Sequence, residues 1–283
     1  MDKVLYKKYG RIGRITLNRP EVMNAIDDDV PGELSAAVAK ADADPNVHVM
    51  VLAGNGPAFC AGYDLEGYAE QQGGNEIVQG MHWDPIKDYA FKWRNTQHFM
   101  SLWRAMKPVI CRVHGFAAAG GSDIALCADL TLMAESAKIG YMPTRVWGCP
   151  SAAMWVYRLG PEKAKRMLFT GDKVNGREAE EMGLVLRAFP DAHLDAEMEA
   201  MVERMASVPI NQLAMQKLVI IQAIEAAGLM NTQRLATIFD GIARHSPQGL
   251  NLKARVEAVG WKQAVRERDE GTFDWTLNRP IKK

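Results

Sequence analysis

The sequence predicts an α/β protein whose strands are joined by parallel crossovers and whose last third is helical. Short apolar runs rich in valine and isoleucine alternate with helical segments through the first half of the chain. This order is typical of a sheet with right-handed βαβ connections. From residue 160 onward, the apolar residues follow the 3.6-residue period of a helix.

The elements of the first half are predicted from the alternation of apolar and polar residues, from the length of the apolar runs, and from the glycines and prolines that bound them. The segment "GRITLNRP" (10–20) alternates apolar and polar residues and stops at a proline, as expected for a strand. Two later apolar runs are bounded by glycine and proline, which favours buried strands. The further predictions are a helix over 27–43, strands over 48–54, 107–115 and 130–135, and a short buried helix over 121–128.

The second half is predicted to be mainly helical. In "GPEKAKRMLFTG" (160–171) a proline lies early in the helix and a glycine follows its end. The stretch 195–268 has a helical pattern almost throughout. By contrast, 66–98 is mixed and interrupted by glycines, so we interpret it as an irregular excursion that covers a pocket.

Composition excludes several classes of function. The 283 residues are 48% hydrophobic and 24% charged, which allows a large core. Lys+Arg and Asp+Glu both number 34, and this balance disfavours nucleic acid, including RNA, and anionic membranes as partners. The N-terminus is charged and no stretch is long enough to span a bilayer, so we expect a cytoplasmic protein.

The cysteines are interpreted as reduced, buried thiols, because they lie among apolar residues. Their spacing does not match that of metal ligands, so no metal site is predicted. The four residues are Cys60, Cys111, Cys127 and Cys149.

Two glycine-bearing stretches each follow a predicted buried strand: "PAFCAGYDLE" (57–66) and "HGFAAAGGSDIALCADL" (114–130). A glycine-rich turn that leads into a helix leaves free amides and a positive dipole end. Alone, a glycine pair beside small residues more often serves close packing of a helix on a strand, but together the two stretches suggest an oxyanion hole. Neither has the G-x-G-x-x-G order of a dinucleotide fold.

Four motifs occur in order: "ITLNRPEVMNAID", "FCAGYDL", "HGFAAAGGSDIALCADL" and "FTGDKVNGREAEEMGLV". In these, the chain resembles the crotonase (enoyl-CoA hydratase/isomerase) family from about residue 4 to about residue 270. The resemblance implies a crotonase-like spiral of ββα units over 1–205 and a helical C-terminal trimerisation segment over 206–283. It also implies a homotrimer or a hexamer formed as a dimer of trimers.

The resemblance further implies acyl-CoA thioesters as ligands, with coenzyme A entering as part of the substrate and no separate cofactor. Two backbone amides would hold the thioester oxygen while an enolate develops, and these fall on Ala61 and Gly120. The helix that begins near Gly121 would add its dipole, and Gly121 itself is assigned as a substrate contact. The remaining CoA contacts, mostly through the main chain, fall on Asn24, Ala25, Ile26, Asp64 and Leu65. We interpret Asp64 as a residue that caps its loop.

The acidic residues differ from the hydratase pattern of two glutamates, which act in general acid-base catalysis. Asp123 occupies the first glutamate position and Pro143 the second. Proline cannot transfer a proton, and the carboxylate of Asp123 would lie about 1–1.5 Å further back, where a shift of about 1 Å can cost around 100-fold in rate. Ordinary hydration by two glutamates is therefore not expected.

Several residues are candidates to replace the missing acid. Asp123 either transfers protons or is a structural acid bonded to its neighbours. Tyr141 and Arg145 could hold water or a polar acyl group, or serve in packing and surface pairing. His82 and Asp84 could supply a base from the excursion, or face water. The tryptophans are interpreted as packing residues or acyl-pocket walls: Trp83, Trp147 and Trp155.

The leading hypothesis is an acyl-CoA enzyme of the enoyl-CoA hydratase/isomerase type in fatty acid metabolism, nominally a hydro-lyase that hydrates a 2-enoyl-CoA. One alternative is another crotonase-type reaction that needs a single acid: isomerisation, decarboxylation or thioester hydrolysis. A second alternative is a CoA-binding trimer with little catalysis. The sequence leaves open the acyl chain and the choice between trimer and hexamer.

Overall fold

The fold is built on two main sheets whose strands alternate along the chain. The computed structural model describes residues 2–70 and 79–281. The strands are β1 (Val4–Tyr9), β2 (Ile12–Leu17), β3 (Val49–Gly54), β4 (Val109–Val113), β5 (Phe116–Ala118), β6 (Leu130–Ala134), β7 (Lys138–Gly140), β8 (Lys173–Asn175), β9 (Arg187–Phe189), β10 (Phe273–Asp274) and β11 (Arg279–Pro280).

The larger sheet has six strands in the order β1-β2-β3-β4-β6-β9, the smaller one has the order β5-β7-β8, and β10 and β11 form a third, two-stranded sheet. All neighbours in the larger sheet are parallel except β1 and β2. Two single parallel bridges, Ile26–Tyr63 and Cys60–Ala117, extend the smaller sheet. The chain thus passes repeatedly from the larger sheet to the smaller sheet and then into a helix, which produces a spiral.

Twelve helices are described within these residues. They are α1 (Val30–Ala43), α2 (Leu65–Ala69), α3 (Pro85–Phe99), α4 (Ser101–Arg104), α5 (Gly120–Leu126), α6 (Met154–Thr170), α7 (Gly176–Glu181), α8 (Leu194–Ala206), α9 (Ile210–Ala226), α10 (Leu229–His245), α11 (Pro247–Val259) and α12 (Trp261–Glu270).

Local sequence explains where the helices nearest the site begin and end. All seven residues of α5 are buried, so this helix lies inside the protein. The α6 segment is interrupted at Gly160, whose φ of 72° is not helical, and Pro161 opens the second part. Gly171 ends that part in the left-handed region, with φ of 66°, as the proline and glycine pattern predicted.

One large apolar core lies between the sheets and the helices, and includes Ile15, Leu52 and Phe59. A smaller apolar cluster includes Phe91 and Trp147, where α2, α3 and α11 meet. Burying a side chain of this size contributes about 1.5–3 kcal/mol. Some residues of the smaller cluster, such as Trp147, also line the cavity described below.

Most of the predicted elements are confirmed, including β2, β3, β4 and β6 of the larger sheet and the helical C-terminal region, whereas β9 was not predicted. The strand β1 was not predicted, because its outer residues are exposed and charged and only Val4 is fully buried. The irregular excursion is wrong over 85–98, where α3 forms with Asp84 as its N-cap. Its glycine-rich part, 71–78, lies outside the described residues.

Among the described residues, no single helix has both the length and the apolar character needed to cross a membrane. Only α9 and α10 taken together, bent by 58° at their junction, meet those criteria of length and composition.

Candidate active site

A cavity of about 390 Å³ opens where the two glycine-bearing stretches meet α3, α10 and α12. Loop residues such as Ala25 and Ala61 form one side, and the start of α5 forms its floor at Gly120. Side chains from α3 and α10 form the opposite side, while Trp261 of α12 lies at the same opening. The predicted glycine stretches therefore do converge on one site.

Gly120 is the first residue of α5, so its N–H has no acceptor within the helix. The preceding residue, Ala119, has φ of 50° and turns the chain sharply into the helix. A Cβ on Gly120 would lie 2.8 Å from Ile26 Cδ1 and 3.1 Å from the Tyr63 ring. Glycine is therefore what lets the helix start approach the neighbouring loop so closely.

The second predicted amide donor is corrected by the structure. The N–H of Ala61 donates to the carbonyl of Met23 at 3.0 Å, so this amide is already used. Two residues further, the N–H of Tyr63 donates to no acceptor in the part of the chain that the structure describes. Tyr63 and Gly120, hereafter the amide pair, are adjacent and both line the cavity.

The direction of the Tyr63 amide follows from strand geometry. Ile26 N–H donates to the Gly62 carbonyl at 2.8 Å, and Asp64 N–H donates to the Ile26 carbonyl at 2.9 Å. In a parallel bridge, the residue between these two bonded groups directs its own N–H away from the partner strand. The bridge therefore fixes the orientation of the Tyr63 amide before any ligand arrives.

Among the predicted substrate contacts, Ala25, Asp64, Leu65 and Tyr141 line the cavity. The capping role predicted for Asp64 is confirmed, because its side chain accepts from Gly67 N–H at 3.2 Å and opens α2. It also pairs with Arg19 at 3.0 Å.

Asn24 and Ile26 do not line the cavity. The Asn24 side chain accepts from Arg19 N–H and donates to the carbonyls of Asn55 and Ala58, each at 2.8 Å. It therefore holds neighbouring loops together. Ile26 is fully buried and contributes its backbone to the bridge with Tyr63.

Gly121 and Arg145 also lie outside the cavity lining. A Cβ on Gly121 would lie 2.3 Å from the Cys60 carbonyl oxygen, so this glycine serves close helix packing. The Arg145 side chain donates to the Thr170 carbonyl at 2.7 Å. Both residues support the walls of the site, which corrects their assignment as substrate contacts.

Asp123 is buried on α5 behind the amide pair and does not line the cavity. Its Oδ1 has no hydrogen-bond partner among the described residues. Burial raises the pKa of this carboxyl well above its ordinary value, Lys92 lowers it and Asp240 raises it again. Asp123 therefore holds its proton to a higher pH than an exposed aspartate does.

Pro143 lines the cavity at the second glutamate position, so no acid stands there. Burial, followed by the nearby Asp240 and Asp123, raises the pKa of Tyr141, which remains a neutral phenol at the cavity wall. His82 and Asp84 are exposed and do not line the cavity. Asp84 accepts from two backbone N–H groups at the start of α3.

A chain of buried ion pairs, which the sequence reasoning missed, forms the side of the cavity opposite the loops. Asp88 and Asp240 both pair with Arg244, and Lys92 Nζ lies 3.2 Å from Asp240 Oδ2. We refer to these four residues as the ion cluster. All except Asp88 line the cavity, and each is at most 5% exposed.

Three members of the ion cluster have pKa values shifted in favour of their charged forms: Asp240, Lys92 and Arg244. Burial tends to raise the pKa of Asp240, but Arg244, Lys92 and the Cys149 N–H at 3.0 Å outweigh it, so the net shift is downward. Burial tends to lower the pKa of Lys92, but Asp240 and then Tyr63 outweigh it, so the net shift is upward. The cavity therefore has a fixed ammonium and a fixed carboxylate on one side.

A weak signal for the ion cluster was present in the sequence. Asp88 and Lys92, and likewise Asp240 and Arg244, are spaced i,i+4 in helical segments. Such pairs most often occupy exposed helix faces, so the spacing alone does not indicate burial. Among the described residues, no group of His, Cys, Asp and Glu is arranged to hold a metal.

The chain is similar to known proteins over nearly its whole length. The family model described as "Enoyl-CoA hydratase/isomerase" matches residues 7–248. A probable enoyl-CoA hydratase of Rhizobium meliloti is 32% identical over 240 residues, which cover 83% of this chain and 88% of the relative. The putative enoyl-CoA hydratase EchA13 of Mycobacterium tuberculosis is 30% identical over 284 residues, covering 94% and 85%.

Solved structures show the same architecture. A crystal structure of an enoyl-CoA hydratase from Mycobacterium smegmatis is 45% identical, with a TM-score of 0.89 and coverage of 96% of this chain and 94% of that one. An enoyl-CoA hydratase/isomerase from Xanthobacter autotrophicus Py2 is 27% identical, with a TM-score of 0.87 and coverage of 95% and 98%. The predicted crotonase-like fold is thereby confirmed. This chain belongs to the enoyl-CoA hydratase/isomerase family.

Proposed function

We propose that this protein is an acyl-CoA enzyme that stabilises the enolate of a thioester with the amide pair. Its nominal reaction is the hydration of a 2-enoyl-CoA, and the only cofactor is the coenzyme A carried by the substrate. The main support for this proposal is that the N–H groups of Tyr63 and Gly120 are adjacent on the cavity wall and have no acceptor among the described residues.

The chemistry follows from where charge develops. Adding water across the conjugated bond of a thioester, or removing its α-proton, places negative charge on the carbonyl oxygen. Two preorganised donors in a cavity that excludes water stabilise this oxyanion, and losing one such donor typically costs about 100- to 1,000-fold in rate. The strand bridge and the α5 start hold both amides in place, so little reorganisation is needed during the reaction.

Asp123 is the proposed proton donor, since burial raises its pKa and favours the protonated form. With Pro143 in place of a second acid, the single-acid reactions compete with hydration: isomerisation, decarboxylation and thioester hydrolysis. A CoA-binding protein with little catalysis is the second candidate. It is favoured by the position of Asp123 behind the cavity lining.

The test is a turnover assay with crotonyl-CoA, a 3-enoyl-CoA, malonyl-CoA and butanoyl-CoA, using wild type and Asp123→Asn. We expect turnover of at least one ester and a loss of about 100-fold or more in kcat in the variant. In the wild type, activity should fall as the pH rises through the pKa of Asp123 and its proton is lost. Binding of acyl-CoA without turnover of any ester would contradict the enzyme proposal and support the second candidate.

The matched control is Asp129→Asn. Asp129 is another acid with a pKa raised by burial, but it pairs with Lys217 at 2.7 Å and does not line the cavity. This variant should lose stability and keep its turnover. Equal losses of turnover in both variants would show that Asp123 acts through folding and not as a proton donor.

We also propose that the exposed apolar side chains of α9 and α10 bind further copies of the chain, in a homotrimer or a dimer of trimers. An apolar surface of this kind is typical of an oligomer interface. Size-exclusion chromatography with light scattering should give a mass of three or six chains, and Val219→Glu should reduce it. The cytoplasmic location and the role in fatty acid metabolism remain predictions. The exposed residues include Leu218, Val219, Ile220, Leu235, Ile238, Phe239 and Ile242.

A further inference from the structure

The ion cluster places charged side chains in a cavity wall, where their desolvation opposes folding. Lys92, Asp240 and Arg244 are 5%, 2% and 3% exposed, and removing charges from water carries a large desolvation penalty. Apolar side chains of similar volume would usually give a wall of equal or greater stability. Charged groups that face a ligand cavity at this cost are candidates for ligand recognition.

The two carboxylates of the cluster are already satisfied. Asp240 Oδ1 accepts from Cys149 N–H at 3.0 Å, and its Oδ2 accepts from Arg244 and pairs with Lys92 at 3.2 Å. Asp88 is held by Arg244 and lies outside the cavity lining. The anions of the cluster therefore have little capacity left for a ligand.

Lys92 stands at the end of the chain of ion pairs and has capacity left. Its ammonium carries three donor protons, and its ionic partner among the described residues is Asp240. Nζ also lies 4.1 Å from the centroid of the Tyr63 ring, which belongs to the same residue that supplies one amide of the amide pair. Lys92 is thus close to the proposed position of the thioester and borders the open cavity.

The segment around Trp147 supports this wall. Trp147 lines the cavity, and its shielded indole N–H has no acceptor within residues 2–70 and 79–281. Its backbone has φ of 91°, which is unusual for a bulky residue and indicates a position fixed by its surroundings. Two residues later, Cys149 is anchored on Asp240, so the segment that carries Trp147 is tied to the ion cluster.

We propose that this wall is a second oxygen-binding subsite, in which Lys92 Nζ binds an oxygen atom carried on the acyl chain near its β-carbon. The substrates are then acyl-CoA thioesters with a 3-oxo, 3-hydroxy or carboxylate oxygen. A plain alkyl chain would leave the spare donor protons of Lys92 without an acceptor, which is costly in a buried site. This inference rests on the proposed function, because it takes the thioester to be held at the amide pair.

The experiment measures dissociation constants by calorimetry for wild type and Lys92→Met. Acetoacetyl-CoA is compared with butanoyl-CoA, which has the same chain length without the second oxygen. Arms with 3-hydroxybutanoyl-CoA and malonyl-CoA distinguish a ketone, a hydroxyl and a carboxylate as the oxygen source. Methionine retains the length of the lysine stem, and Asp240 keeps Arg244 and the Cys149 N–H as partners.

We expect wild type to prefer at least one oxygenated ester over butanoyl-CoA by about 10- to 100-fold, as for a hydrogen bond to a charged donor. Lys92→Met should remove most of this preference and change butanoyl-CoA binding by less than about twofold.

Equal affinity of wild type for butanoyl-CoA and all three oxygenated esters would overturn the inference, and this result does not depend on whether any variant folds. An equal loss for every ester in Lys92→Met would also overturn it, since the lysine would then act on the cavity as a whole. If butanoyl-CoA and the oxygenated esters all bind with equal affinity, only the proposed subsite is refuted. If no acyl-CoA binds at all, the proposed function fails with it.

Discussion

The two sides of the cavity are built by different means. The amide pair consists of backbone groups, positioned by a strand bridge and by the first turn of α5. The ion cluster consists of side chains from α3 and α10, which hold one another. The first side tolerates changes of side chain but not of backbone position, whereas the second depends on the identity of each charged residue.

The largest expected effect tests the ion cluster. Arg244→Met leaves Asp88 and Asp240 buried without their shared partner, and breaking such a buried pair typically costs about 3–5 kcal/mol in the free energy of unfolding. Urea denaturation measures the change. The matched control is Arg166→Met at an exposed site on α6, where we expect a change of about 0.5 kcal/mol or less. Similar small losses in both variants would show that the cluster contributes little to folding.

A smaller effect tests the backbone side. Gly121→Ala would place a Cβ 2.3 Å from the Cys60 carbonyl oxygen, so the backbone must shift, at a typical cost of about 1–3 kcal/mol. Because this shift moves the start of α5, turnover should fall as well. Gly32→Ala in α1 meets no atom within 4 Å and should be neutral or stabilising by up to about 1 kcal/mol. Unchanged unfolding and turnover in Gly121→Ala would contradict the packing role.

The smallest effect concerns Asp123, which lies between the two sides. Its pKa is raised in the folded state above the ordinary value of 3.8. The contribution of Asp123 to the free energy of unfolding is therefore most favourable below pH 3.8, and it decreases as the pH rises towards the raised pKa. Asp123→Asn removes this loss, but its amide is equally short of partners, so we expect a net gain of about 1 kcal/mol at pH 7. Thermal unfolding from acid to neutral pH measures it. A difference that does not grow with pH would contradict a raised pKa.

The same contrast explains how far the sequence could predict the site. Gly120 and its helix were predictable because a glycine pair after a buried strand is a local pattern. The partner amide was placed on Ala61 and not on Tyr63, because motif matching does not show which N–H the bridge to Ile26 leaves free. The four charges of the ion cluster could not be paired from sequence, since each pair looks like an ordinary surface pair until α3 and α10 pack together.

The fold was predictable to a similar extent. Buried parallel strands such as β3 and β4 have continuous apolar runs that stand out in the sequence. The edge strand β1 lacks such a run, and α3 has a mixed composition because one face carries buried polar residues. Both elements exist because of their tertiary partners.

The ion cluster also has a consequence for the order of folding. Arg244 and Asp88 are 156 positions apart in the chain, whereas the groups that position the amide pair lie within residues 23–140. Contacts between distant segments form late, because closing a long loop costs entropy before the contact is gained. During synthesis the amide pair can therefore be completed first, whereas Asp88 and Lys92 have no partners from α10 until that helix has been synthesised. A chain truncated before residue 229 would keep the amide pair but leave these two charges without the partners that α10 supplies.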